Sequence, residues 1–539
     1  MLPGCTPWPA EEAGRYRRAG HWRGEPLGEA LRRSAGDRGT SVALVDDTER
    51  LTYAGLDARV DRFARGLLEL GLAPGDRVVV HLPNVTEFVV ATYALLRTGV
   101  LPVYALPSHR EQEIAYLCEF TEAAAYLIPD RHLGFDHREL ARTVAARPGV
   151  KLRHVLCAGD AREFVAFADV EALGERDRPL PSVAAGDVAL FLLSGGTTGR
   201  PKLIPRTHDD YAYNVRASAD VCGFDSRTVY LAALPAAHNF ALACPGVLGT
   251  LAAGGTVVLA SDPSPAETLP LIAEEGVTAT ALVPSLVRLW LEAVSWLPED
   301  LSSLRLLQVG GARLDPRTAA RVRPELGCAL QQVFGMAEGL LNYTRLDDPE
   351  DLVLGTQGRP LSPDDEIRVV DEDGRDVPAG ATGQLLTRGP YTLRGYYRAP
   401  EHNARAFVEG WYRTGDLVRV LDSGHLVVEG RVTDVVNRAG DKIPVEEVEE
   451  HLAAHPAIRE VAVTGEPDAV LGERTRAYVV AAPGAERPDL AGLGEYLRGL
   501  GLAAYKVPDR LCFIQSLPLT AIGKVDRKAL SRAPSGSAP

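Results

Sequence analysis

Between Ser194 and His208 the chain reads SGGTTGRPKLIPRTH, which gathers glycines, hydroxyl side chains and cations into one short stretch. Glycines at 195, 196 and 199 let a backbone approach an anion and turn its N–H groups toward it, while Thr197, Thr198 and Lys202 add hydrogen bonds and charge. The chemistry this permits is the holding of phosphate. The loop is not a Walker A sequence, which needs Gly-Lys-Ser/Thr; here Gly199 is followed by Arg200 and Pro201. The lesser alternative for the stretch on its own is an ordinary flexible turn, since Gly and Thr are common in loops.

The elements around it predict where it sits. DVALFLLS (187–194) reads as a buried strand feeding the loop at its carboxyl end. Further along, LRLLQVGGARLDPRTAARV (304–322) repeats the arrangement: a strand, a Gly-Gly-Ala turn, then Asp315 as N-cap with Pro316 at the first helical position. Upstream, Leu56, Val60, Phe63, Leu67 and Leu68 follow helical spacing with Gly71 at the end; a strand at 77–82 and a helix at 86–99 continue the β–α alternation. From about residue 365 short strands separated by Asp-Gly, Ala-Gly and Ser-Gly turns suit a small β-barrel or sheet. After Arg431 come a helix at 445–455, strands at EVAVTG and RAYVVAA, a helix near 489–499 and a strand at RLCFIQ, a small α+β module. The expected fold is therefore α/β: a large N-terminal domain of doubly wound sheets plus a small β-barrel, followed by a small α+β C-terminal domain.

Composition bounds the function. At 539 residues more than one domain is expected. The 58 Lys and Arg against 72 Asp and Glu give a formal net charge of −14, which argues against nonspecific binding to nucleic acid or anionic membrane. No apolar run of membrane-spanning length and no hydrophobic leader occur, so a cytoplasmic location is expected. Seven scattered cysteines without a C-x-x-C pair suggest neither a disulfide framework nor a zinc site.

Six segments in one order carry a resemblance: SGGTTGRPKLIPRTH, LQVGGARL (307–314), QQVFGMAEG (331–339), YRTGDLVR (412–419), VEGRVTDVVNRAGDKI (428–443) and PLTAIGKVDR (518–527). Together they resemble the adenylate-forming superfamily of acyl-CoA synthetases, luciferases and peptide-synthetase adenylation domains. LPVYALPSHR (101–110), KLIPRTHDDY (202–211), LAALPAAHNFALACPGVLG (231–249) and FGMAEGLLNYTRLDDPE (334–350) look more narrowly like the stand-alone aryl-acid AMP ligases of siderophore pathways, of the 2,3-dihydroxybenzoate and salicylate type. No carrier domain is seen after Lys524, which suits a free-standing enzyme.

The resemblance implies ATP and Mg²⁺ as cofactors, and two steps: aryl-AMP formation with release of pyrophosphate, then transfer to the phosphopantetheine thiol of an aryl carrier protein. It assigns Ser194, Gly195, Gly196, Thr197, Thr198 and Gly199 to the triphosphate, with Lys202 bracing the loop. Glu338 is the implied Mg²⁺ contact, consistent with that ion's preference for oxygen. Gly310, Gly311 and Ala312 are implied to flank adenine with Val333 beside them, Asp416 to accept the ribose hydroxyls, and Arg431 to contact ribose or phosphate. Lys524 is implied to bridge the substrate carboxylate and the α-phosphate, where its charge offsets the repulsion of two anions. The domains are then 1–433 and 434–539, hinged at Asp434, with the face carrying Ala439, Gly440 and Lys442 replacing Lys524 for the thioester step.

His238, Asn239, Phe240, Cys244, Gly311 and Leu341 fall where this subgroup places its acyl pocket. Asn239 suits an ortho hydroxyl and Phe240 the ring face. Members taking 2,3-dihydroxybenzoate look like Ser and Val where this chain has Cys244 and Leu341, whereas salicylate members tend to Cys and Leu. A thiol is the poorer hydrogen-bond partner and leucine's extra methylene narrows the space at the 3-position, so salicylate is expected. A 2,3-dihydroxybenzoate ligase and an aryl-CoA ligase stay open as alternatives. A non-catalytic acyl-adenylate-binding protein is disfavoured by the intact Thr197, Thr198, Glu338, Asp416 and Lys524.

Overall fold

In the computed structural model the chain divides into two compact units: residues 1–354, 358–366 and 388–412, and residues 355–357, 367–387 and 413–539. The structure describes residues 2–532 apart from 177, 195–200, 433–434, 439–440, 469–470, 501, 503 and 521–522. The expected domain boundary at Asp434 thus lies outside the described residues.

The first unit is built on two sheets. One has nine strands, in the order Arg359–Pro360, Leu341–Tyr343, Ala329–Gly335, Leu306–Gly310, Ala279–Leu282, Val229–Ala232, Thr256–Leu259, Val42–Val45 and Arg50–Thr52. Its middle is parallel, while Arg359–Pro360, Leu341–Tyr343 and Arg50–Thr52 run antiparallel at the edges. The other has seven, in the order Leu203–Thr207, Val188–Leu193, Leu101–Tyr104, Arg77–Val80, Ala125–Pro129, His154–Ala158 and Val165–Ala166, with Leu203–Thr207 antiparallel to its neighbour. Strands such as VALFLL and RVVV carry apolar residues on both faces because helices cover both sides, as parallel sheets require.

The helices follow from local signals. Tyr53–Glu69 starts where the Thr52 hydroxyl accepts from the Gly55 N–H, and buries Leu56, Val60, Phe63 and Leu67 along one stripe. Thr86–Thr98 is buried all round and stops at Gly99, whose φ of +67° is left-handed. Pro316–Leu326 begins as its sequence indicates, with Asp315 accepting from the Thr318 N–H at 2.9 Å.

The strands expected as a small barrel form a five-stranded sheet from Glu366–Val370, Gly383–Arg388, Trp411–Val420, Phe407–Val408 and Leu426–Arg431. The C-terminal module has its own sheet, in the order Asp441–Pro444, Val435–Arg438, Gly472–Ala481 and Ile458–Asp468, with Arg510–Phe513 parallel to Gly472–Ala481. Helices Val445–Ala453 and Leu490–Gly499 close a separate core through Val445, Val448, Leu452, Leu493 and Leu497. That core is the small α+β module expected from sequence. No helix among the described residues is long and apolar enough to cross a membrane.

Candidate functional site

The glycine-rich stretch lies in sequence between two paired strands. Strand Val188–Leu193 pairs antiparallel with Leu203–Thr207. At the neck the Ser194 N–H donates to the Lys202 carbonyl at 2.9 Å, and the Lys202 N–H donates to Ser194 Oγ at 3.1 Å. Sequence periodicity missed the returning strand because LIPRT is short and contains a proline; Pro205 sits on an edge strand, where a missing donor is tolerated. Gly195, Gly196, Thr197, Thr198 and Gly199 lie outside the described residues. Lys202 Nζ lies over the Tyr396 ring, 5.5 Å from its centroid.

Tyr396 also reaches Glu338. Its hydroxyl donates to Glu338 Oε1 at 2.9 Å and lies 2.8 Å from the Tyr412 hydroxyl, while the Leu393 N–H donates to the Glu338 carbonyl at 2.7 Å. Burial first, then the Glu338 charge, pushes the Tyr396 phenol well above its ordinary range, so Tyr396 is a fixed donor at neutral pH. The buried Glu338 carboxylate is therefore held by a tyrosine whose ring lies under Lys202 and whose hydroxyl also meets that of Tyr412. Nothing in the sequence joins Glu338 to Tyr396, 58 positions on.

The six residues expected to line an acyl pocket fall on or beside three elements. Short helix Asn239–Ala243 starts at His238, whose Nδ1 accepts from the Phe240 N–H at 3.3 Å. Asn239 is pinned: its Oδ1 accepts from the Tyr211 hydroxyl at 2.7 Å and its Nδ2 lies 3.5 Å from Cys244 Sγ. With the amide oxygen engaged, Asn239 presents to a ligand as a donor, which suits an ortho oxygen. Burial pushes the Cys244 thiol up to about 12, so it is neutral and weakly polar; its Sγ donates to the Asn239 carbonyl at 3.4 Å. Leu341 is buried opposite Gly335 on the neighbouring strand, and its N–H donates to the Tyr391 hydroxyl at 3.2 Å.

Gly310 ends strand Leu306–Gly310, opposite Val333, and Gly311 follows with a φ of +83°. A Cβ on Gly310 would stand 2.9 Å from the Val333 carbonyl oxygen and 3.0 Å from Phe240 Cζ. The bare Cα is what lets the Phe240 ring lie against the strand, so Gly310, expected beside adenine, also sets the place of Phe240, expected in the acyl pocket. Gly311 is half-buried and Ala312 exposed just beyond it. Replacing Gly310 by alanine should displace Phe240 and raise the KM for the acyl substrate about tenfold, an overpacking cost of ~1–2 kcal/mol. Initial-rate kinetics against both substrates, with the KM for nucleotide little changed, checks this.

In the second unit Asp416 and Arg431 face each other across an antiparallel pair, and Arg431 Nε lies 3.0 Å from Asp416 Oδ1. Arg431 Nη2 also donates to the Thr414 carbonyl at 3.1 Å, and the Asp416 N–H to Thr414 Oγ1 at 3.0 Å. Burial raises the Asp416 carboxyl above its ordinary range; Arg431, the Thr414 hydroxyl and the charge of Lys524 pull the other way. Lys524 stands on a tight turn: the Thr520 N–H donates to its carbonyl at 2.6 Å, its own N–H to Thr520 Oγ1 at 3.2 Å, and Leu519 bridges Val525. Gly523, with a φ of +75°, makes that turn possible. Asp434, Ala439 and Gly440 lie outside the described residues; Lys442 is on strand Asp441–Pro444, and its side chain is outside them too.

Two family models match the chain: an AMP-binding enzyme over residues 31–397, and an AMP-binding enzyme C-terminal domain over 447–524. The chain is 54% identical over 534 residues to a 2,3-dihydroxybenzoate-AMP ligase of Bacillus subtilis, covering 99% of this chain and 98% of that protein. It is 49% identical over 537 residues to a salicyl-AMP ligase / salicyl-S-ArCP synthetase of Mycobacterium tuberculosis, covering 98% and 94%. Among solved structures, apo MbtA of Mycobacterium smegmatis superposes with a TM-score of 0.76 at 49% identity, covering 98% of this chain and 99% of that one.

Proposed function

Because this chain belongs to the AMP-binding enzyme family, we propose that it activates an aryl acid, salicylate, with ATP and passes the aryl group to the phosphopantetheine thiol of an aryl carrier protein. In the first step a carboxylate oxygen attacks the α-phosphorus, the bond to the bridging oxygen of the β-phosphate breaks, and pyrophosphate leaves. In the second the thiol sulfur, having lost its proton, attacks the acyl carbon and AMP leaves. The relatives reported above, one named for 2,3-dihydroxybenzoate and one for salicylate and its carrier, support the reaction class.

The observation that carries the choice of acid is the buried Asn239, its amide oxygen engaged by Tyr211 and its nitrogen beside Cys244, with Cys244 and Leu341 buried in the same core. Asn239 favours an ortho oxygen over plain benzoate. Cys244 offers a 3-hydroxyl only a weak partner, and Leu341 takes up its space. ATP–pyrophosphate exchange with salicylate, 2,3-dihydroxybenzoate and benzoate tests this: salicylate should give the highest kcat/KM. The double substitution Cys244→Ser, Leu341→Val should shift the ratio toward 2,3-dihydroxybenzoate by about 10- to 100-fold, the range open to one methylene and one hydrogen bond. A wild-type preference for 2,3-dihydroxybenzoate would refute the choice of salicylate.

The remaining roles follow the chemistry. The stretch from Ser194 to Lys202, whose two ends hydrogen-bond to each other, holds the departing phosphates, with Thr197 and Thr198 as hydroxyl donors. Glu338, oriented by Tyr396, is the Mg²⁺ contact. A single carboxylate fits that ion: no group of three His, Cys, Asp or Glu among the described residues forms a metal cage, and Mg²⁺ commonly takes its other ligands from phosphate and water. When bound it screens the phosphate charge. Asp416 accepts the ribose hydroxyls, Arg431 stays beside it, and Lys524 supplies positive charge to the reacting carboxylate and α-phosphate. Asp434, Gly440 and Lys442 are assigned to the thioester step. All seven cysteines are unpaired, which suits a cytoplasmic, reducing setting.

A further inference from the structure

Arg206 is fully buried, and its guanidinium is only partly spoken for. Nε donates to Asp210 Oδ1 at 2.7 Å and Nη1 to the Ala337 carbonyl at 3.0 Å, whereas Nη2 is buried with no hydrogen-bond partner among the described residues. Asp210 has little left to offer: its Oδ2 accepts from the Thr207 N–H at 2.8 Å and the Thr207 hydroxyl at 2.7 Å. A buried cationic donor without an acceptor is costly, and a site that tolerates one is suited to a ligand that brings the acceptor.

The position of this group says what the ligand is. The guanidinium carbon lies 4.8 Å from the centroid of the Tyr211 ring, and the hydroxyl of that ring donates to Asn239. The Arg206 charge reaches the Cys244 thiol, where it opposes the effect of burial. Through Ala337 the same side chain holds the residue preceding Glu338. Arg206 therefore stands where the acyl pocket meets the carboxylate assigned to the metal.

We propose that Arg206 is a substrate-binding residue, its Nη2 donating to the anionic edge of the aryl acid, where the carboxylate and the ortho oxygen lie side by side. This rests on the aryl-acid reading above and adds the group that makes the pocket select an anion. Asn239 and Phe240 recognise shape and the ortho oxygen; Arg206 recognises charge.

Titration calorimetry on the full chain with salicylate and with salicylamide, which keeps the ortho hydroxyl and replaces the carboxylate by a neutral amide, separates binding from scaffolding. Replacing Arg206 by methionine alone would strand the Asp210 carboxylate, so the variant pairs Arg206→Met with Asp210→Asn; Arg206→Lys is the charge-retaining companion. The double variant should bind salicylate about 30-fold more weakly, with salicylamide and ATP within about threefold of the parent, a loss in the range seen when one member of a buried charge pair is removed. Arg206→Lys should lose less salicylate affinity than the double variant. Equal weakening of salicylate and salicylamide would make Arg206 a scaffold residue and overturn the proposal, as would unchanged salicylate binding. If the parent binds neither salicylate nor any other benzoate, the aryl-acid reading itself fails, an outcome distinct from either.

Discussion

Substituting Lys524 by alanine should lower salicylate-dependent ATP–pyrophosphate exchange about a thousandfold, the scale of losing one preorganised charge from a developing anionic centre. The same protein should retain most of its ability to pass the aryl group from supplied salicyl-AMP to a carrier thiol, since that step makes no bond between carboxylate and phosphorus. The turn that presents Lys524 is held by hydrogen bonds of its backbone with Thr520, which alanine at 524 keeps. Quenched-flow measurement of the two half-reactions checks this. Equal loss in both would assign Lys524 to general binding or folding.

Asp416→Asn should raise the KM for ATP about 30-fold, ~2 kcal/mol, the weight of hydrogen bonds to a charged acceptor. Asparagine keeps the size of the side chain but offers one acceptor oxygen where the carboxylate offers two. A pH dependence accompanies it. Burial raises the Asp416 carboxyl above the ordinary 3.8, against the pull of Arg431, Thr414 and Lys524. The ribose contact proposed for Asp416 needs the ionised form, so it should be complete above that raised value and lost as the pH falls through it. The parent should therefore lose ATP affinity on acidification earlier than an ordinary aspartate would cause, and Asp416→Asn should lack that phase. Nucleotide binding followed by calorimetry across the acid limb measures both.

The parts of this protein that sequence reveals are those whose signal is local. The helical stripe from Leu56 to Leu67, the apolar runs at 77–80 and 188–193, and the Asp315–Pro316 helix start each carry their own periodicity or cap, and each stands where expected. The returning strand Leu203–Thr207 was hidden because five residues with an internal proline show no alternation of their own; the hairpin partner supplies the order. Motif residues were legible as types, but not as pairs. Asp416 and Arg431 face one another only through strand register, and Glu338 is oriented by a tyrosine that belongs to no motif. Asn239 was readable as a polar group for an ortho oxygen, yet that it acts as a donor follows from Tyr211, a tertiary neighbour. Arg206 carried no signal of its own within the loop motif; its burial, its ion pair with Asp210 and the arm of its guanidinium left without an acceptor among the described residues appear only in the fold.

The central claim, attack of an aryl carboxylate oxygen on the α-phosphorus of ATP, is tested most directly by isotope transfer. Salicylate labelled with oxygen-18 in its carboxyl group is incubated with ATP, Mg²⁺ and the full chain, with hydroxylamine present to capture the aryl group at its carbonyl carbon, and the nucleotide is recovered for mass spectrometry. The recovered AMP should carry a single labelled oxygen. Unlabelled AMP, or ADP as the nucleotide product, would contradict such an attack.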